Sequence, residues 1–162
     1  MPGCFSLTGA TAPVNVEDSP CRYTGRAAGM LAEQVATQSL PTLRGRHCKK
    51  TFYGGNGIHI DPYGNVFSGT CSGIVIGNVN DQSLEKMWLS YEPTKVQMVE
   101  TLFDEGPVGL LNQTETAGYK PLLAYADKCH LCTDLRQFLF ERGRMPGVVG
   151  PGDCYDTDKN SL

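Results

Sequence analysis

Four cysteines on two separate arms constrain this chain more than any other feature. Cys48 and Cys71 flank a stretch containing the turn-forming Gly64, and Cys129 and Cys132 stand in a Cys-x-x-Cys pair much further along. A close pair can aim both sulfurs at one place, and a distant arm can deliver two more. Thiolates are soft ligands, so the set favours an iron–sulfur or zinc centre over the hard cations that prefer oxygen. A cross-link of this kind also suits the composition. With 19 Gly and 10 Pro in 162 residues, the chain reads as loop-rich, and such a chain buries less apolar surface per residue.

The surroundings of the cysteines decide between metal and disulfide chemistry. The chain opens Met1-Pro2-Gly3-Cys4, with neither the basic start nor the apolar core of a signal peptide. No stretch approaches the roughly 18 apolar residues that span a bilayer. The expected address is therefore cytoplasmic, where a cysteine cluster binds metal or does redox work more often than it forms disulfides. A net charge of −3 gives no sign of a nucleic-acid or membrane-surface partner.

The pattern along the chain predicts an α+β fold: a small β-hairpin and several short helices wrapped around a four-cysteine metal site. Residues 1–43 lack steady periodicity, are interrupted by Pro13, Pro20 and Pro41, and read as a linker with one short helix over 27–35. Residues 44–143 form the expected domain, and 144–162 read as a flexible tail. The basic run Arg44, Arg46, His47, Lys49 and Lys50 is either a solvated loop or charge compensation for a thiolate-held centre.

Residues 57–61 and 65–68 read as the strands of the hairpin, turned by Pro62, Tyr63 and Gly64, and the second strand leads to Cys71. Gly54, Gly55, Asn56 and Gly57 form a loop without the helix-opening context of a nucleotide site. Asn80, Asp81 and Ser83 offer caps for a helix on which Leu84, Met87, Trp88 and Tyr91 recur at core spacing. Pro93 opens another, with Val96, Val99 and Phe103 on one face, and Gly106-Pro107 ends it. Between 108 and 119, Leu110 and Leu111 read as buried and the polar remainder as loop. Residues 132–142 read as a helix with Leu135, Phe138 and Leu139 facing the core and Gly143 as its cap. Cys132 thereby falls near a helix N-terminus, where the dipole favours thiolate.

These segments come in a recognisable order. Ile60-Asp61-Pro62-Tyr63-Gly64-Asn65-Val66 is followed by Cys71, by Ile76-Gly77-Asn78, and by Ser83-Leu84-Glu85-Lys86-Met87-Trp88. Lys128-Cys129-His130-Leu131-Cys132 completes the series. Over residues 44–143 the chain resembles the SPASM or twitch region of radical SAM enzymes, which carries an auxiliary cluster. The resemblance implies one [4Fe–4S] cluster on Cys48, Cys71, Cys129 and Cys132. A cluster so ligated has no open iron, and it serves electron transfer or structural support.

Two departures narrow that implication. No cysteine follows the close pair until Cys154, which supports one cluster rather than two. The Cys-x-x-x-Cys-x-x-Cys motif that binds and cleaves S-adenosylmethionine is missing, so the chain is not expected to be catalytic alone. The implied partner is a radical SAM catalytic barrel, in trans or lost by truncation, with a peptide or protein as substrate. Residues 1–43, including Gly25-Arg26-Ala27-Ala28, would then be the connector from that barrel.

Rival readings use the same residues. A structural Zn2+ site fits four sulfurs, although zinc ribbons usually present two Cys-x-x-Cys knuckles. A docking module that adds a strand to the hairpin edge would need the metal only as a staple. Cys154 is a substitute ligand in reserve, whereas Cys4 and Cys21 read as free thiols. His47, His59 and His130 are not expected to be ligands, and Asp61 reads as a turn residue.

Overall fold

The computed structural model describes residues 22–53, 57–69 and 71–155. Cys4 and Cys21, residues 1–21 of the expected linker, Gly54, Gly55 and Asn56, and the last seven tail residues, 156–162, lie outside them. The fold is α+β, as expected from the sequence. Short helices surround two small antiparallel sheets.

Residues 22–43, expected as connector, are instead part of the fold. Helix α1 (Arg26–Met30) leads through a 3-10 turn, Ala32–Gln34, to strand β1 (Gln38–Ser39) and helix α2 (Leu40–Leu43). Tyr23, Ala32 and Leu43 are buried. Strand β1 pairs with β5 (Ala124–Tyr125), which places this early segment beside the chain that enters the last helix.

Helix α3 (Lys49–Tyr53) follows Cys48 directly. The hairpin then forms from β2 (Ile58–Ile60) and β3 (Asn65–Ser68), with His59 opposite Phe67. Its turn is fixed by Asp61, whose carboxylate accepts from the Tyr63 and Asn65 amides at 2.9 Å each. Gly64 turns at φ 84, and a Cβ there would lie 2.5 Å from the Asn80 side chain and 2.8 Å from that of Asn78. Only glycine meets both demands. A third strand, β4 (Val75–Asn78), extends the sheet on β3; the glycines around it hide its β-branched residues in the sequence.

Helix α4 (Leu84–Ser90) starts at Ser83, whose hydroxyl accepts from the Lys86 amide. Its expected core face is largely exposed. Met87 is buried against Gly77, while Trp88 is 55% exposed and Leu89 79%. A helix of only two turns presents one turn to the sheet, and the rest faces outward.

After a 3-10 turn at Pro93–Lys95, α5 (Gln97–Asp104) buries Met98, Val99 and Leu102, one step around from the expected Val96–Phe103 face. Gly106, at φ 73, turns the chain into α6 (Pro107–Glu115), which occupies much of the stretch read as loop. Leu110, Leu111 and Thr114 form its buried stripe. Three polar residues, Asn112, Gln113 and Glu115, face outward.

Helix α7 (Lys128–Glu141) begins before Cys129, so the Cys-x-x-Cys pair is helical rather than a loop turn. Leu131, Leu135 and Leu139 recur every four residues and join α5, α6 and Phe52 of α3 in one core. Gly143, at φ 59, follows the helix as expected. Residues 144–155 fold back onto that core instead of trailing as a tail. Val149 bridges Ile74, and the Tyr155 hydroxyl donates to the Gly73 carbonyl at 2.6 Å.

Replacing the fully buried Leu135 by alanine should lower the unfolding free energy of the metal-free chain by about 2–5 kcal/mol. Leu123→Ala, at a 99% exposed position, should change it by less than about 0.5 kcal/mol. Urea denaturation of both variants provides the check.

Candidate metal centre

Three local devices place the four cysteines. The Cys48 amide donates to the Leu102 carbonyl of α5 at 2.9 Å, and its own carbonyl accepts from Thr51 and Phe52 as α3 begins. Cys71 lies in the β3–β4 connection, its amide bonded to the Ser68 carbonyl. The Asp127 carboxylate caps α7 by accepting from the His130 amide at 2.7 Å. That cap sets the first turns of the helix, where Cys129 and Cys132 share one face at a spacing of three. The Lys128 ammonium donates to the His47 carbonyl at 2.7 Å and so fastens the start of α7 to the Cys48 loop.

These devices bring Cys48, Cys71, Cys129 and Cys132 to the walls of one cavity. It is narrow: the centre of a water molecule can reach about 20 Å3 within it. Cys48 and Cys132 are buried, Cys71 and Cys129 half-buried, and all four are free thiols. Phe52, Ile74 and Leu102 supply apolar wall, and Arg22, Lys128 and Arg136 supply positive charge. Two wider grooves, near Met145 and beside residues 146–151, are lined by no Cys, His, Asp or Glu.

Burial dominates the thiol chemistry. It pushes Cys48 up to about 12, with Cys132 and Cys71 adding to the rise and Lys128 and Arg22 opposing it. Cys71 is raised by burial and by Cys132, against Arg136, Arg22 and Lys128. Burial, then Asp127, then Cys132 raise Cys129 despite its place at a helix N-terminus. Cys48 and Cys129 each feel two of the other thiols, and Cys71 feels Cys132. As free thiols the three stay protonated at neutral pH, and a metal that coordinates them would deprotonate them outright.

The fit to a metal group can be judged on this donor set. Soft ligands, apolar walls and adjacent cations suit an anionic thiolate-held group. Among the described residues, no three or more Cys, His, Asp or Glu are grouped to hold a single metal ion. Zinc, with Zn–S near 2.3 Å, would require the four sulfurs to draw together to about 4 Å from one another. A [4Fe–4S] cluster, whose thiolates bind separate iron corners, asks for less convergence.

The other sequence candidates fall elsewhere. Cys154 does not line the cavity. The His130 ring accepts from the Ala126 amide at 3.2 Å and meets Tyr125 edge-on. His47 and His59 are exposed, and Asp61 is held in its turn. Arg44, Arg46, Lys49 and Lys50 are solvated; Lys49 pairs with Asp104 at 3.6 Å.

The cations that do line the cavity were missed, although Arg136 had a readable signal. It stands four residues after Cys132, hence on the same helical stripe. The residue is 2% exposed, and its guanidinium donates to the carbonyls of Cys132 at 3.2 Å and Ser72 at 2.7 Å. It also donates to the Thr133 hydroxyl at 3.2 Å and stands 5.8 Å from the Tyr155 ring centre.

Comparison with protein-family models, with curated proteins and with solved structures returns no match for this chain.

The raised Cys48 thiol has a consequence for stability. Its folded value of about 12 exceeds the reference 9.0, so the unfolded chain loses this proton first. The stabilisation is complete below about pH 9 and is lost as pH climbs toward about 12. Urea midpoints of the metal-free chain should fall across that window, and Cys48→Ala should flatten the decline.

Proposed function

We propose that this chain is an iron–sulfur-binding accessory domain in which Cys48, Cys71, Cys129 and Cys132 hold one [4Fe–4S] cluster. The observation that carries this reading is the arrival of these four thiols, from three separated segments, at one cavity lined with cations. The segment order described above supports a role within a radical SAM system that modifies a peptide or protein, with the catalytic barrel supplied by another part of that system. Once bound, the cluster would supply one-electron transfer and a covalent cross-link between the arms. The chain's own residues do the rest. Asp127 sets the helix that carries two of the sulfurs, Lys128 clasps that helix to the Cys48 loop, and Phe52, Ile74 and Leu102 keep water away.

Anaerobic reconstitution with iron and sulfide tests the reading. The full chain should turn brown and hold about four irons, the complement of one four-cysteine cluster. Alanine at Cys48, Cys71, Cys129 or Cys132 should abolish or sharply reduce the iron content, whereas Cys4→Ala, Cys21→Ala and Cys154→Ala should retain it. A colourless protein with one zinc per chain would establish the structural-zinc alternative and refute the cluster.

A further inference from the structure

Arg136 presents an electrostatic problem that the polypeptide does not solve by itself. The guanidinium is always charged and is buried at the inner wall of the four-cysteine cavity. Its bonds run to neutral acceptors: the carbonyls of Cys132 and Ser72 and the hydroxyls of Thr133 and Tyr155. Among the described residues it makes no ion pair with a carboxylate. The nearby Tyr155 phenol, pushed up to about 12 mainly by burial, is neutral at physiological pH. An unpaired charge in the interior is strongly unfavourable, and buried cations are normally paired. The acidic groups beside this one are the thiols of Cys71 and Cys132, and thiols become fixed anions when a metal coordinates them.

We infer that Arg136 is the built-in counter-charge of the cavity, a positioning residue that stabilises the negative charge of a thiolate-held metal group and raises its reduction potential. This assignment rests on the proposed metal site and adds what the chain does to that site. When dithionite delivers one electron to a cluster, no atom is transferred and the site becomes one unit more negative. A guanidinium in contact favours the reduced form, so its removal makes reduction harder. The same residue holds the Cys71 loop through the Ser72 carbonyl, so charge compensation and ligand placement come from one side chain.

The test uses the full chain as wild type, Arg136→Gln, Arg136→Lys and Arg142→Gln. The last removes an equal charge from the exposed end of the same helix, where Arg142 lies over the Phe138 ring. After anaerobic reconstitution, iron content and the midpoint of a dithionite titration are read, with circular dichroism reporting whether each metal-free variant folds. Arg136→Gln should load less iron, and the cluster it does load should have a lower midpoint than wild type. Arg136→Lys should recover most of the midpoint, and Arg142→Gln should match wild type. A folded Arg136→Gln that loads like wild type at an unchanged midpoint overturns the assignment. So does Arg136→Lys behaving like Arg136→Gln, which would mean that hydrogen-bonding shape rather than charge matters. If Arg136→Gln does not fold, the midpoint of Arg136→Lys decides, and a value shifted as far below wild type as loss of charge would give counts against the proposal.

If the wild-type chain takes up zinc and no iron, the cluster reading fails while the counter-charge is still measurable. Zinc affinity should then fall about tenfold to a hundredfold in Arg136→Gln and little in Arg142→Gln. Equal zinc affinity overturns the assignment, and a chain that binds neither metal overturns both readings.

Discussion

The first turns of the last helix organise the molecule around a single stripe. Asp127 caps the helix; Cys129, Cys132 and Arg136 then recur at spacings of three and four, so all three look into one cavity. Beside them Leu131, Leu135 and Leu139 lock the helix into the core, which fixes the direction in which the stripe points. From this stripe the guanidinium reaches the Ser72 carbonyl next to Cys71, and Tyr155 closes over it from the C-terminal segment. Each hydrogen bond to a charged group contributes about 1.5–3 kcal/mol, set against a desolvation penalty of several kcal/mol for a buried ion. These bonds anchor the arginine, yet neutral acceptors leave its charge in place.

Distant segments meet at the cavity because each is tied there by polar contacts as well as by packing. Lys128 joins the helix start to the Cys48 loop, and the Cys48 amide is bonded to α5. Cys71 sits in the β3–β4 connection, and Ile74, three residues on, is bridged by Val149. Loss of hydration on burial raises the free energy of ionising Cys48, Cys71 and Cys129, and the neighbouring thiols add to the rise. A group that replaces their protons with metal would turn that mutual repulsion into ligation.

Local chemistry was the legible part of the sequence. The Asp61–Gly64 turn, the Ser83 cap and the Gly143 terminus are decided within a few residues, and each occurs where its residue types demand. Reading failed where burial depends on neighbours. Trp88 has the spacing of a core residue, but α4 is too short to bury it, and its ring stacks on Tyr91 at the surface. The polar residues of α6 suggested loop, although Leu110, Leu111 and Thr114 suffice to bury one stripe of a helix. Residues 22–43 and 144–155 look like connector and tail by composition, yet β1 finds β5 and Tyr155 finds Gly73. Proline and glycine mark irregular backbone without saying whether that backbone packs.

The amino-acid sequence alone determined which side chains can act as soft ligands, that two of them would lie close together in a Cys-x-x-Cys pair, and that the hairpin would turn at Gly64. These follow from residue chemistry and from backbone preferences that operate over a few positions. Only the tertiary structure decided that the four thiols share a cavity, and that its charge comes from Arg22, Lys128 and Arg136 rather than from the basic run beside Cys48. A charged side chain reaches a buried site only where helix facing and loop closure jointly remove it from water. Both depend on contacts between residues far apart in the chain, which no local pattern encodes.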